Sequence, residues 1–298
     1  MDRIGELAAF GTAIGWTCSA ILFEQGIKRI GVLAVNFYKV IAAVLLLTIT
    51  AALMRGMPVP LDATPRTIVY LSLSGVVGFV IADMFLFTAY STVGPRIAML
   101  FMALSPPLTA GAAYVFLGER MGSRGMFGMI LVITGIFMTV FGRHGKISFS
   151  EIKKEDRRGY GFALIAPICQ SIGMVLTKTG LGNYDPVSGT QIRAFTAIIG
   201  FGIVSLIYNR GKSLVSALKN TEGLKFTAIG AFFGPFFGVT LSLFALQRIN
   251  AGIVSTLIGL TPILIIIPEL FILKRKIKLM EIAGAFIAVA GTAIFFLW

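Results

Sequence analysis

The sequence predicts an all-α integral membrane protein in which ten transmembrane helices form two inverted five-helix repeats. Three observations support this fold class: the composition, the spacing of the apolar runs and a weak internal repeat. Hydrophobic residues make up 56% of the chain and charged residues only 13%, whereas soluble domains carry about 25% charged residues. The mean hydropathy is +0.89. A single soluble core does not enclose so much apolar surface.

Ten apolar runs are long enough to cross the hydrocarbon core of a bilayer, which takes roughly 20 helical residues. Short connections rich in Gly, Pro or charge separate them, except for one longer polar stretch near the midpoint. The first run lacks a small-residue cleavage site, so we expect a retained helix and not a signal peptide. The predicted spans 1 to 10 are approximately 5–24, 32–54, 67–91, 96–117, 124–142, 159–178, 186–208, 224–247, 251–273 and 278–298.

An internal repeat relates the two sides of that polar stretch. An offset of 154 residues places Lys39 on Arg193, and an offset of 156 places LSPPL (104–108) on LTPIL (260–264). Each half therefore has five spans, and an odd number makes the second half enter the membrane in the opposite sense. The expected organisation is a first repeat over 1–142, a central polar loop over 143–158 and a second repeat over 159–298.

Motifs in both halves resemble a known family. The first half carries LSPPLTAGAAYVFLGERM (104–121) and GMILVITGIFM (128–138), and the second carries LTPILIIIPELFILKRKIKLMEIAGAFIAVAGT (260–292). With its ten spans, the chain resembles the EamA-type branch of the drug/metabolite transporter superfamily over nearly its whole length. The resemblance implies a carrier without ATP hydrolysis, from a family that exports amino acids, other metabolites or drugs and often uses a proton gradient. The chain departs from the family pattern at Arg275, which is matched to Glu119 of the first half.

Charged residues inside spans are the best indications of function, because a charge at the bilayer centre costs roughly 3 kcal/mol or more. Lys39 and Arg193 occupy repeat-equivalent positions in spans 2 and 7, and Asn36 and Thr190, one helical turn before them on the same faces, are candidate substrate-binding residues as well. We predict that both cations face one cavity and bind a carboxylate or a phosphate. Two structural interpretations remain open: head groups that snorkel to the interface, and a static pair of Lys39 with Asp83.

Asp83 in span 3 is the candidate proton-coupling residue, because its repeat-equivalent position holds Val239 and the acid is confined to one half. Helical spacing places it on one face with Phe79 and Tyr90. Glu269 in span 9 lies close to a basic cluster, and a pair with that cluster is the interpretation we prefer.

Other polar and aromatic residues are candidates for the same cavity. Trp16 in span 1 is repeat-equivalent to Gln170 in span 6. Pro106 and Pro262 occupy matched positions, free a backbone carbonyl and permit kinks, so they are candidate gating points; helix packing is the alternative explanation. The remaining candidate cavity residues are Tyr38, Gln191, Tyr90, Tyr114, Ser105 and Thr261.

Motifs of enzymes and of cofactor or metal sites are not found in the sequence. It has no P-loop and no dinucleotide-binding glycine motif, and His144 is its only histidine. We therefore expect no enzymatic activity, no cofactor and no metal. Cys18 and Cys169 both lie within spans and are interpreted as small apolar side chains.

The net charge of +13 is distributed unevenly between the two membrane faces. The side of the central loop carries 17 of the 26 Lys and Arg residues, the other side carries seven, and Lys39 and Arg193 lie between. The positive-inside rule places the central loop in the cytoplasm and the termini outside, whereas the resemblance suggests cytoplasmic termini for some members. We expect the basic loops to contact anionic lipid, with no nucleic acid as a partner.

These observations predict a multi-pass carrier of the inner (plasma) membrane that exports small polar metabolites such as amino acids by alternating access. Its partners are the small-molecule substrate and the lipid bilayer, and a monomer is expected because one chain supplies both halves of the cavity. Proton coupling stays open. So do two other functions: a cation or multidrug exporter, and a non-transporting membrane protein such as a lipid scramblase or a sensor.

Overall fold

Helices form the secondary structure of the protein, as the composition predicts. The structure, a computed structural model, describes residues 2–92, 98, 101–144, 156–264 and 278–296. No strand occurs in these ranges, and six of their helices are long and apolar enough to cross a membrane. Two shorter apolar helices correspond to spans 5 and 10. The predicted all-α membrane fold is confirmed.

The observed helices follow the predicted spans. Spans 1, 2, 5, 6, 7 and 10 are the helices Arg3–Ile30, Val32–Arg55, Ser123–His144, Asp156–Leu181, Pro186–Ile207 and Leu279–Phe296. Span 3 comprises Pro65–Ser74, Gly75–Ile81 and Ala82–Thr92, and span 8 comprises Thr221–Ala231, Phe232–Gly238 and Val239–Arg248. The described parts of spans 4 and 9 include Ser105–Leu117, Ala251–Ile258 and Thr261–Leu264. An additional short helix, Gly211–Ala217, precedes span 8.

Local sequence explains where several helices begin and end. Thr64 and Asp185 cap spans 3 and 7 by accepting a hydrogen bond from a backbone N–H of the first turn, and a proline follows each of them. Proline suits that position because the first helical N–H groups have no partner inside the helix. Gly56 ends span 2 with a φ of 70°, which favours glycine.

Spans 3 and 8 each contain a π-helical segment in the middle of the membrane, at Gly75–Ile81 and Phe232–Gly238. Span 3 is therefore not regularly α-helical between Phe79 and Asp83, because a π turn shifts the angular register of the residues that follow. In span 8 the segment contains Pro235, which has no N–H to donate. Such segments are often found at functional sites.

Spans 4 and 9 are interrupted at the predicted place. A turn at residues 103–104 precedes the helix that contains Pro106, and a turn at 259–260 precedes the one that contains Pro262. The two interruptions lie at the same offset that relates the two halves. They also touch: a Cβ atom on Gly259 would lie 3.4 Å from Cγ of Pro106.

The packing of the spans follows the repeat. Span 1 packs against span 8, and its repeat partner, span 6, packs against span 3. Spans 2, 4 and 5 pack against their own partners, spans 7, 9 and 10. A twofold axis between inverted repeats requires this pattern, because it maps the contact of spans 1 and 8 onto that of spans 6 and 3 and maps each of the other three contacts onto itself.

The connections between spans fall on two faces, because successive spans alternate in direction. The even face carries the connections after spans 2, 4, 6 and 8, which are residues 56–64, 118–122, 182–185 and 249–250. The odd face carries the connections after spans 1, 3, 5, 7 and 9. Glu269, Arg275 and most of the central loop lie outside the described residues.

Spans 5 and 10 approach closely through glycines that the family motif places there. A Cβ atom on Gly284 would lie 2.5 Å from the backbone nitrogen of Thr139 and 2.6 Å from the oxygen of Gly135. A Cβ atom on Gly291 would lie 2.8 Å from the oxygen of Gly128. Gly284 is the repeat partner of Gly128, and Gly291 is that of Gly135, so the twofold arrangement maps one contact onto the other. Neither contact leaves room for a side chain.

Replacing Gly284 with valine is expected to lower the free energy of unfolding by at least about 1–3 kcal/mol, because overpacking forces backbone or side chains apart. Reversible unfolding in mixed detergent micelles measures the change. Gly111→Ala is the matched control, since no atom lies within 4 Å of a Cβ there and alanine is the better helix former. A Gly284→Val protein as stable as the wild type would contradict this helix contact.

Candidate functional site

A buried ion pair joins spans 2 and 3 inside the helix bundle. Nζ of Lys39 lies 2.6 Å from Oδ2 of Asp83, and the exposed fractions of the two side chains are 5% and 21%. The ammonium group also lies 4.6 Å from the ring centre of Phe87 and 5.5 Å from that of Phe23. Lys39 therefore does not snorkel. The structure contains the ion pair of Lys39 with Asp83, which is one of the two structural interpretations that the sequence leaves open.

Arg193 of span 7 is the repeat partner of Lys39, but it has no such counter-ion. It is 6% exposed, and its guanidinium carbon lies 4.7 Å from the ring centre of Phe79. Its Nε atom is enclosed without a hydrogen-bond acceptor, and among the described residues no ion pair forms with it. Asp83 is nevertheless close enough for its negative charge to act on the guanidinium.

The π segment of span 3 makes room for this arginine. A Cβ atom on Gly78 would lie 3.1 Å from Nη2 of Arg193, and one on Gly75 would lie 2.7 Å from the backbone oxygen of Arg193. The segment thus presents bare backbone to span 7. In the other half, Gly238 gives the same room to Trp16, whose Cδ1 atom would lie 2.7 Å from a Cβ there.

The two cations approach the middle of the membrane from opposite faces. Lys39 follows the first residue of its helix, Val32, by seven positions, and Arg193 follows Pro186 by seven. Each backbone position is therefore about 10 Å into its span. Lys39, Asp83 and Arg193 form a cluster with two positive charges and one negative charge, so the described residues leave one positive charge uncompensated.

A small cavity of about 20 Å³ lies beside Arg193 and is bounded by both halves of the protein. It brings together Arg193, Trp16 and Gln170, three residues that the sequence assigned to one cavity. The other residues that line it are Phe79, Met174, Thr177, Val239, Ser242 and Leu246.

Apart from Phe79, which the sequence places on the face of Asp83, these other lining residues are not predicted from the sequence, although their spacing carries a signal. Met174 and Thr177 follow Gln170 at intervals of four and seven, and therefore share its helical face. Val239, Ser242 and Leu246 have the same kind of spacing in span 8. Most of them are apolar, so they do not stand out in a search for polar residues inside spans.

The other predicted residues of spans 2 and 7 have different surroundings. Asn36 is fully buried, and neither atom of its amide has a hydrogen-bond partner among the described residues. The Tyr38 hydroxyl donates to the backbone oxygen of Leu214 at 2.8 Å. Thr190 donates to the Pro186 oxygen within its own helix. The Gln191 amide donates to Thr48 and to the Pro58 oxygen near the even face.

The predicted residues of spans 4 and 9 belong to a buried hydroxyl cluster or lie elsewhere. Ser105 Oγ lies 3.4 Å from the hydroxyl oxygens of Ser171 and of Ser255. Thr261 donates to the Ile258 oxygen. Tyr114 is 57% exposed on the outside of span 4, so its assignment to the cavity is wrong. The side chains of Tyr90 and Pro262 lie outside the described part of the structure.

A polar network closes the even face, and we call it the even-face network. At one seam Arg55 donates to Asp62 and to Ser188, and the Tyr184 hydroxyl donates to Asp62 at 2.8 Å. At the other seam Lys178 lies 2.5 Å from Glu119 and donates to the oxygen of Ile249, Glu119 accepts from the Ala251 N–H, and Arg248 lies 2.9 Å from Asp2. Each seam joins the two halves, the first through Arg55–Ser188 and Tyr184–Asp62 and the second through Lys178–Glu119, Ala251–Glu119 and Arg248–Asp2.

Two carboxylates of the even-face network are held in the charged form. A hydrogen bond from Arg248 lowers the pKa of Asp2, and one from Arg55 lowers the pKa of Asp62. A lowered pKa means that these contacts are complete at neutral pH, and that they are lost only as the pH falls through the lowered value.

Comparison with known proteins agrees with this architecture. The model of the EamA-like transporter family matches the chain twice, at residues 3–141 and 157–297. The chain is 23% identical over 224 residues to the uncharacterized transporter YyaM of Bacillus subtilis (strain 168), which covers 75% of this chain and 70% of that protein. One solved crystal structure is similar over 100% of this chain and 98% of its own, with a TM-score of 0.76 at 18% identity. At that identity the likeness shows the fold alone.

Proposed function

The chain belongs to the EamA-like transporter family, and from this premise we propose that it is a secondary carrier that exports a small metabolite by binding its carboxylate at Arg193. The family is one of membrane transporters within the drug/metabolite transporter superfamily. The observation that carries the proposal is the enclosed guanidinium of Arg193, which lines the cavity between the halves and lacks a counter-ion among the described residues.

Charge balance favours an anionic group as the ligand. An uncompensated buried charge costs several kcal/mol, and a carboxylate at Arg193 would remove that cost with charge-assisted hydrogen bonds. An amino acid also fits, because only Oδ2 of Asp83 is hydrogen-bonded to Lys39 and the carboxylate can accept from a substrate ammonium group. An organic cation would instead add to the positive charge of the cluster, which argues against the multidrug alternative.

Transport requires the site to open, since a cavity of about 20 Å³ holds about one water molecule. The interruptions of spans 4 and 9 at Pro106 and Pro262 and the π segments of spans 3 and 8 are the places where helix hydrogen bonding is already irregular. We assign the bending of alternating access to these places. Opening toward the even face also requires the even-face network to part.

Asp83 is the proposed site of proton coupling. A proton and the Lys39 ammonium compete for the same carboxylate, so protonation of Asp83 releases Lys39 and adds one positive charge beside Arg193. A substrate ammonium group that binds Asp83 competes with that proton, and this competition is what an exchange of substrate for protons requires. The further proposal is a monomer in the inner membrane, because one chain supplies both sides of the cavity.

Flux in proteoliposomes tests the proposed function. A panel of labelled monocarboxylates, zwitterionic amino acids and organic cations is offered with and without a pH gradient. We expect carboxylated solutes to move and organic cations not to. Movement of cations alone would support the multidrug alternative, and a protein that moves no solute but scrambles lipid would support the non-transporting one.

A further inference from the structure

Glu6 at the start of span 1 is an enclosed carboxyl group that the proposed function does not use. It is 1% exposed, and neither of its oxygens has a hydrogen-bond partner among the described residues. A carboxylate without water, hydrogen bonds or a counter-ion is strongly unfavourable. The arrangement is therefore suited to the neutral carboxylic acid.

The helix turn that carries Glu6 packs at a contact between the two halves. Span 1 is seated against the end of span 8, where a Cβ atom on Gly5 would lie 2.9 Å from Cβ of Arg248 and 3.0 Å from Cγ2 of Ile249. The backbone oxygen of Ile249 in turn accepts a hydrogen bond from Lys178 at 2.5 Å, and Lys178 is paired with Glu119. The residue before Glu6 thus packs at one seam of the even-face network, and Glu6 itself lies only about one helical turn from the end of span 1.

We propose that Glu6 is a proton-binding site of the even face, protonated while that face is closed and ionised when it opens. On opening, the O–H bond of the carboxyl group breaks, the proton passes to water on that side, and the hydrated carboxylate remains. Closing reverses the step. The inference rests on the proposed alternating access, and it adds a proton site distinct from Asp83.

Charges of both signs act on Glu6. The amino-terminal charge and Arg3 act with one sign and Asp2 with the other, and Asp2 is engaged by Arg248 of span 8. Lys178 of span 6 is engaged by Glu119. The described helix of span 9, Ala251–Ile258, carries no titratable side chain, and the described part of span 10 carries Lys278 and Glu281, both at its odd-face end.

The direction of the pH effect separates Glu6 from the even-face network. Protonation of Asp2 or Asp62 would break ion pairs and open the even face in acid. Protonation of Glu6 favours the closed face, so acid closes it. A transition that involves one proton changes the ratio of open to closed protein by about tenfold per pH unit.

Infrared difference spectroscopy on the full-length protein tests the protonation itself. At neutral pH we expect a band of a protonated carboxyl group that is absent in Glu6→Gln and present in Glu24→Gln, the matched control in the same helix, whose carboxylate is exposed and paired with Lys28. If the Glu6→Gln protein retains the band, the assignment to Glu6 is wrong.

Spin-label distances across the even face test the coupling without substrate. Labels are placed at Leu61→Cys and Asn183→Cys, exposed residues of the 2–3 and 6–7 connections, in a chain with Cys18 and Cys169 replaced by alanine. We expect acidification from pH 8 to pH 5 (a window of about three units above the ordinary carboxyl pKa) to shorten the distance in the wild type and in Glu6→Asp, and to leave it unchanged in Glu6→Gln. The same pH response in Glu6→Gln, or opening in acid, overturns the proposal. Because the spin-label measurement uses no substrate, its outcome does not depend on whether the protein transports carboxylates.

Discussion

Asparagine in place of Asp83 is expected to lower the free energy of unfolding by about 3–5 kcal/mol, because it leaves the Lys39 ammonium enclosed without a counter-ion. The ammonium is held by Asp83 at 2.6 Å and is otherwise surrounded by the rings of Phe23 and Phe87. A ring face stabilises a desolvated cation by about 2 kcal/mol or more, whereas removal of one partner of a buried ion pair costs about 3–5 kcal/mol. Reversible unfolding in mixed micelles gives the difference.

A double variant separates loss of the pair from loss of packing. Lys39→Met combined with Asp83→Leu removes both charges, and we expect it to recover most of the stability, since hydrophobic replacement of a buried pair is often neutral or stabilising. The matched surface control is Glu24→Gln, which breaks an exposed pair with Lys28 and should cost less than about 1 kcal/mol. If Asp83→Asn matched this control, Lys39 would need another partner.

Replacing Arg193 with glutamine is expected to weaken carboxylate binding by about 10- to 150-fold, which corresponds to a charge-assisted hydrogen bond of about 1.5–3 kcal/mol. Unlike Asp83→Asn, the change should leave the free energy of unfolding equal or higher, because it removes a buried charge that has no described counter-ion. Substrate binding and concentration-dependent flux measure the first effect, and mixed-micelle unfolding measures the second.

Two controls show whether charge or geometry matters at Arg193. Arg193→Lys retains the charge but loses the planar fork of donors, so an intermediate loss of affinity is expected. Arg66→Gln changes an exposed arginine beside Tyr70 near the even face and should not alter affinity. Full transport by Arg193→Gln, or a large loss of stability, would show that the guanidinium has a structural and not a substrate-binding role.

The repeat explains how much of the site the sequence predicted. Lys39 and Arg193 were identified because two cations at one offset are costly in a membrane, and Trp16 and Gln170 were found by the same offset. The repeat does not reveal that one cation has a counter-ion and that the other has none among the described residues. Asp83 has Val239 as its counterpart, so only one half supplies a counter-ion, and the two cations become inequivalent.

For two residues, Tyr114 and Glu6, the burial in the structure differs from what the sequence predicts. Tyr114 is a cavity candidate by residue type alone, yet the rotation of span 4 turns it outward. Glu6 does not stand out in the sequence because it lies in the first turn of its helix, where a carboxylate is usually solvated and favourable to the helix dipole. Its neighbour Gly5 packs against Arg248 and Ile249, which are more than two hundred positions away in the chain.

The sequence by itself determined the membrane fold, the ten spans, the repeat and the interruption of spans 4 and 9, because these depend on hydropathy, on proline and glycine, and on positions that recur at one offset. Only the tertiary structure decided which charges are satisfied. Lys39 is paired with Asp83, Arg193 contacts π-helical backbone and an aromatic ring, and Glu6 is enclosed next to a contact between the halves. Such pairings depend on helix rotation and register, which π segments alter by single residues and which no periodic pattern in one helix specifies.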